Sequence, residues 1–222
     1  MKANSGGCVL VTGFEPFDKD TVNPSWEVAR ALDGESCAGL SIKAVQLPCK
    51  FKFALKELNR ALAKTHPQLV ISLGLANGRS EITPERVAIN INDARIPDND
   101  SQQPVDTSVI AGGPVARFST LPIKAIVRDL RAAGIPASVS NTAGTFVCNH
   151  VFYGLMHRLA TVSALSGTRG GFIHLPHLPE QSARIPGIPS MALSTQVEGI
   201  RLSIRTALAV KKDVRESAGR EH

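Results

Sequence analysis

The sequence predicts an α/β protein built on one mostly parallel, twisted sheet with helices on both faces. Three observations carry this. Short apolar runs alternate along the chain with segments of helical periodicity, the pattern of strand–helix–strand units. Several of the runs, Cys8 to Thr12 and Leu69 to Leu73 among them, are apolar without alternation. Strands covered on both faces read that way. The 222 residues fit a single domain, since one core keeps growing up to roughly 250–300 residues.

The elements follow in order. Cys8 to Thr12 is a buried strand. A helix from Ser25 to Leu32 starts just after Pro24, which is tolerated in a first helical turn. Ile42 to Leu47 is a strand, and Phe51 to Lys64 a helix that ends before His66-Pro67. Leu69 to Leu73 is a strand closed by Gly74, and Arg86 to Ile91 alternates as a strand does. Asn92 to Pro122 reads as one long loop rich in Pro, Gly, Asn and Asp, of the kind that tends to be functional or mobile. Ile123 to Ala133 is a helix stopped by Gly134 and Pro136, and Ala137 to Ser140 a short strand. Phe146 to Leu159 is a helix, Gly171 to His174 a strand, and Pro176 to Pro189 a proline-rich loop. Met191 to Val210 is the final helix, with 211–222 a helical or disordered tail. In parallel sheets ligands bind beyond the carboxyl ends of the strands. That rule points to the loops after Thr12, Leu73, Ser140 and His174.

Composition narrows the function. The formal charge is +6, but Lys and Arg are interleaved with Asp and Glu even in the tail, so a solvated helix end explains it better than a nucleic-acid arm. The four cysteines show no CxxC or Cys/His zinc spacing. Cys8 reads as core, and Cys37 and Cys49 as incidental. The N-terminus lacks the apolar region of a signal peptide, and no stretch approaches the roughly 18 apolar residues of a membrane span. A cytoplasmic protein with reduced thiols is expected.

The chemistry centres on three residues. Cys148 opens a helix that follows a strand, where unpaired N–H groups and a positive partial charge favour a thiolate and could hold an oxyanion. On local context it fits a nucleophile or a packing cysteine equally. His174 ends an apolar strand before a proline, at the ligand edge of the sheet, so it can accept a thiol proton or simply cap the strand. His177 is its rival, while His150 and His157 read as packing or surface residues. Glu85 can orient an imidazole or pair with Arg86 at the surface. Phe14 and Phe17 share the loop after the first strand and suit an apolar pocket wall. Asp98 reads as a local organiser of the long loop; Arg95 fits either that role or contact with substrate. Neither a phosphate loop nor a dinucleotide fingerprint is present in the segments after Gly13 and Gly74.

Together, LVTGFEPF, VNPSWEVA, ITPERVAINI, DARIPDN, SNTAGTFVCNHVFYGLMH and GGFIHLPHLPEQ resemble the pyroglutamyl peptidase I (pyrrolidone-carboxylate peptidase) family, in its order and from Val9 to Gln181. The resemblance implies a single-domain three-layer α/β/α sandwich. It also implies a cytoplasmic cysteine peptidase, often homotetrameric, that needs no cofactor or metal and cleaves after an N-terminal pyroglutamyl residue. It puts the nucleophile on Cys148, the base on His174 and the third member on Glu85. The aromatic pocket falls on Phe14 and Phe17 with Phe146 and Val147 nearby, and an arginine close to the oxyanion on Arg95. Departures from the family pattern fall at Asp18-Lys19-Asp20, Leu75, Asn77 and His177, around the pocket and outside the triad. A phosphate-dependent enzyme on a similar scaffold, a non-catalytic binding module and a nucleic-acid binder are rival readings. None of them accounts for the cysteine, histidine and glutamate segments together.

Overall fold

The computed structural model describes residues 7–18 and 20–219. The strands are β1 (Cys8–Phe14), β2 (Ser36–Cys37), β3 (Leu40–Leu47), β4 (Leu69–Leu75), β5 (Thr83–Pro84), β6 (Val87–Ile89), β7 (Ala116–Phe118) and β8 (Arg169–Leu175). The helices are α1 (Pro24–Leu32), α2 (Phe51–Thr65), α3 (Ile123–Ala132), α4 (Val147–Thr161), the short α5 (Pro179–Ser182) and α6 (Leu193–Ala209). The main sheet has the order β2-β3-β1-β4-β8-β5. Its four central strands are parallel, and the two-residue β2 and β5 pair antiparallel at the edges.

The sheet divides two cores, as the two-residue period of a strand requires. Val9 and Val11 of β1, Ile71 and Leu73 of β4 and Ile173 of β8 face a core closed by α1, α3 and α6. Leu10, Val70 and Phe172 face the opposite core, closed by α2 and α4. Helix α3 shows the logic at its simplest. Ile123, Ile126, Val127 and Leu130 recur at helical spacing and are buried. Each such side chain contributes about 1.5–3 kcal/mol by leaving water. The result is the three-layer α/β/α arrangement. No helix among the described residues is long and apolar enough to cross a membrane.

Four differences from the sequence expectation stand out. Strand β1 runs to Phe14, so this phenylalanine stands on the sheet and only Phe17 is in the loop. Gly13 permits it: a Cβ there would lie 2.3 Å from the Ser25 carbonyl oxygen, so β1 and the start of α1 meet backbone to backbone. The strand expected over Arg86 to Ile91 is confined to Val87–Ile89, and an unexpected short strand, Thr83–Pro84, precedes it. Thr83–Pro84 joins the main sheet beside β8, while Val87–Ile89 lies outside it and pairs with β7, near the end of the expected long loop. Proline has no N–H to give a second neighbour, which suits β5 to the edge. Ala137 to Ser140 forms two isolated bridges, to Ile82 and Glu85, in place of a strand.

The fourth difference is the tail. Residues 211–219 are neither helical nor detached. The Asp213 carboxylate accepts from the Lys124 and Ala125 N–H groups at 3.1 and 3.0 Å. It thereby caps α3, whose N-cap residue Pro122 makes no side-chain cap bond. Residues 220–222 lie outside the described residues.

Candidate active site

The carboxyl ends of β1, β4 and β8 open into a cavity of about 730 Å³. Ligand sites commonly span about 300–1,000 Å³. Cys148 and His174 both line it. His174 is register partner of Gly74 on the neighbouring strand. The Sγ of Cys148 sits directly above that glycine, so close that a Cβ at Gly74 would stand 2.9 Å from the sulfur. Cys148 is the second residue of α4, whose first turn has no side-chain cap. The early N–H groups of that turn therefore remain free for a ligand oxygen.

His174 is buried, and its Nδ1 lies 2.7 Å from Oε1 of the fully buried Glu85. The backbone holds Glu85 there: its N–H donates to the Phe172 carbonyl at 2.9 Å, and it bridges Ser140 on the other side. Burial alone would raise the Glu85 carboxyl. The hydrogen bond and charge of His174, then Arg79 and the Ser140 hydroxyl, outweigh it and hold the group below the usual carboxylate range. An ionised carboxylate only accepts. Nδ1 therefore carries the proton toward Glu85, and Nε2 is left as the basic nitrogen. Burial also lowers His174, with Glu85 opposing and Arg79 assisting the shift, so the imidazole rests neutral.

The expected low thiol pKa does not hold. Burial, followed by the Glu85 charge, pushes Cys148 up to about 12, and Arg79 offsets only part of this. Cys148 keeps some exposed surface in the cavity, and burial is the largest cause of the rise. The resting pair is thiol and neutral imidazole. A neutral imidazole lining the same cavity as a thiol is chemically able to accept its proton as the thiol reacts, without a standing ion pair.

Phe14, Phe17 and Phe146 supply an aromatic wall. Phe17 and Phe146 lie 5.2 Å apart between ring centroids, and Phe51 backs Phe146 edge-on at 5.3 Å. Arg95 is exposed at the cavity margin. Val147 differs: it is fully buried in the core beneath α4 and contributes no side-chain surface to the cavity. Asp98 organises structure as expected. One oxygen accepts from the N–H groups of Asp100 and Gln102, and the other from Phe51 N–H at 2.8 Å, capping α2. His150 packs edge-on against Phe51 and bonds Asn92.

Among the lining residues without a role in the sequence reading, Cys49 and Arg79 stand out. Cys49 faces the same cavity as Cys148. Arg79 lies in the segment after β4 and binds Glu85 Oε1 at 2.7 Å. Its signals in the sequence are its place just beyond a strand end, six residues before Glu85, and its position in the GLANGR segment, where only Leu75 and Asn77 depart from the family pattern.

The model of a family described as pyroglutamyl peptidase matches residues 8–210. The chain belongs to the pyroglutamyl peptidase family. It is 60% identical to a pyrrolidone-carboxylate peptidase of Cupriavidus taiwanensis, over 96% of this chain and 99% of that one. It is 58% identical to a Klebsiella pneumoniae pyrrolidone-carboxylate peptidase, again over 96% and 99%. The pyroglutamyl peptidase I crystal structure from Bacillus amyloliquefaciens matches with a TM-score of 0.92 at 45% identity, covering 96% of this chain and all of that one. The Thermococcus litoralis pyrrolidone carboxyl peptidase matches at 0.88 and 39%, over 91% and 94%. Within this pyroglutamyl peptidase fold, the departing residues Asp18, Leu75, Asn77 and His177 all line the cavity. Lys19 lies outside the described residues.

Proposed function

We propose that this pyroglutamyl peptidase hydrolyses the bond after an N-terminal pyroglutamyl residue, with Cys148 as nucleophile, His174 as general base and Glu85 as its orienting carboxylate. The observation that carries the reading is the 2.7 Å contact between His174 Nδ1 and the buried Glu85, with Cys148 on the same cavity. The family resemblance extends the reading to a cytoplasmic homotetramer.

The steps follow from the proton inventory. As the Cys148 sulfur attacks the pyroglutamyl carbonyl carbon, its proton passes to His174 Nε2. The carbonyl oxygen becomes an oxyanion held by N–H groups at the start of α4, with Arg95 at the margin. Collapse breaks the C–N bond, and the imidazolium gives its proton to the departing amine. A thioester remains on Cys148. Water then loses a proton to Nε2 and attacks that thioester. The sulfur leaves, takes the proton back from the imidazolium, and pyroglutamic acid departs. Glu85 stabilises the imidazolium in both halves without taking its proton.

Selectivity rests on the wall of Phe14, Phe17 and Phe146. A lactam is flat and neutral and can bury its ring faces there. Its N–H and C=O need backbone partners, because an unpaired buried polar group costs about 1–3 kcal/mol. An ordinary N-terminal ammonium would be far more costly to bury without a partner.

The test is a pyroglutamyl fluorogenic amide, offered with and without a thiol alkylator beside matched prolyl and glutamyl amides. Cleavage of the pyroglutamyl amide alone, abolished by alkylation, is expected. No cleavage by folded, reduced protein contradicts the reading.

A further inference from the structure

We propose that Arg79 is a positioning residue for this reaction, its guanidinium clamping the Glu85 carboxylate against His174 and tying both to the loop that leads into the nucleophile's helix. The inference rests on the peptidase reading above and goes beyond it, since three residues there account for the proton transfers.

The geometry is specific. Nη1 of Arg79 donates to Glu85 Oε1 at 2.7 Å, the same oxygen that accepts from His174 Nδ1. Nη1 also reaches the Thr83 hydroxyl, on the strand residue that pairs with His174 in register. Nη2 donates to the Thr142 carbonyl at 3.1 Å. Thr142 begins the Thr142–Ala143–Gly144–Thr145 stretch that lines the cavity just before α4. One planar fork thus joins β5, which pairs with the histidine strand, to the carboxylate and the entrance to the cysteine helix. A guanidinium has donors in a fixed plane and stays charged, so lysine cannot reproduce all three contacts.

The electrostatic consequence follows from the shared oxygen. A permanent cation on Oε1 draws charge from the hydrogen bond to Nδ1. It favours neutral His174 and lowers the thiol, acting against Glu85 at both groups. The groups facing the imidazole are Glu85 from the segment after β5, Arg79 from the loop after β4, and Cys148 from α4. His177, Asp18, Asp20, Asp93 and Arg95 line the same cavity from neighbouring loops. Of these, Arg79 alone shares the oxygen that holds His174.

The experiment compares wild type, Arg79→Gln and Arg79→Lys. The imidazole of His174 is titrated by NMR in resting enzyme, and kcat and KM on a pyroglutamyl amide are followed against pH. Loss of the cation in Arg79→Gln is expected to move the His174 midpoint and the acid limb of kcat/KM to higher pH. It is also expected to cut kcat about tenfold or more with KM little changed, as misplaced catalytic groups do. Arg79→Lys should keep the limb near wild type while kcat still falls, because one ammonium cannot span the three acceptors. An Arg79→Gln enzyme whose His174 midpoint and acid limb match wild type overturns the proposal. The NMR titration needs no turnover. A wild type that fails to cleave the amide would therefore count against the peptidase reading, while the midpoint comparison still decides the role of Arg79.

Discussion

The sulfur of Cys148 rests over the backbone of Gly74, the residue paired with His174 on the next strand. A side chain at Gly74 would meet Sγ at 2.9 Å and the Phe172 ring at 2.8 Å, so the seat of the Cys148 sulfur depends on the missing Cβ. Gly74→Ala should therefore displace the sulfur. Because about 1 Å of misplacement can cost about 10²-fold, kcat/KM on a pyroglutamyl amide should fall by that order. Circular dichroism should remain that of a folded protein. Wild-type kinetics in this variant would mean that the sulfur is not held where the reaction needs it.

Glu85→Gln retains the shape of the side chain and removes its charge. The amide can present N–H to His174, favouring the wrong tautomer, and it leaves Arg79 without an anion. Turnover should drop by about 10²–10⁴-fold, by analogy with loss of an orienting carboxylate. Binding of a pyroglutamyl inhibitor should change little. An unchanged rate would remove Glu85 from the triad.

The pH behaviour follows from the neutral resting pair. In the proposed mechanism neutral His174 is the active form, and burial lowers the pH at which it gains a proton. The acid limb of kcat/KM should lie below the ordinary histidine value of about 6.5. With the thiol pushed up to about 12, iodoacetamide labelling of Cys148 in free enzyme should keep rising with pH through the neutral range. Peptide mapping separates Cys148 from the other cysteines. A labelling plateau below neutrality would indicate a standing thiolate–imidazolium pair.

What could be read in advance, and what could not, divides along physical lines. β1, β4 and β8 were legible because strands buried on both faces read as unbroken apolar runs. Cys148, His174 and Glu85 stood out in the sequence as types at the ends of such elements, and the structure brings Cys148 to the cavity that His174 lines and Glu85 to the His174 ring. The β5 edge was hidden because two residues, one of them proline, carry no periodicity. β7 was hidden inside a polar stretch, since its pairing partner and not its composition makes it a strand. The raised thiol, the facing of Cys49 and the reach of Arg79 depend on packing between segments distant in the chain. Val147 illustrates the same limit, because position beside Cys148 did not decide which way its side chain points.

The tail offers a stability test away from the chemistry. Asp213→Ala removes the carboxylate that receives two N–H groups of α3. Loss of such a cap costs about 0.5–2 kcal/mol. The urea midpoint should fall accordingly with kcat unchanged. An unmoved midpoint would show that the tail contributes nothing to the helix.

The most direct test of the central claim is hydrolysis of a pyroglutamyl fluorogenic amide by wild type and by Cys148→Ala, side by side at equal concentration. Wild type is predicted to release the fluorophore, and Cys148→Ala to release none above background while its circular dichroism and urea midpoint stay those of a folded protein. Substantial turnover by Cys148→Ala would contradict the account, because no other group in the cavity is assigned to form the acyl-enzyme.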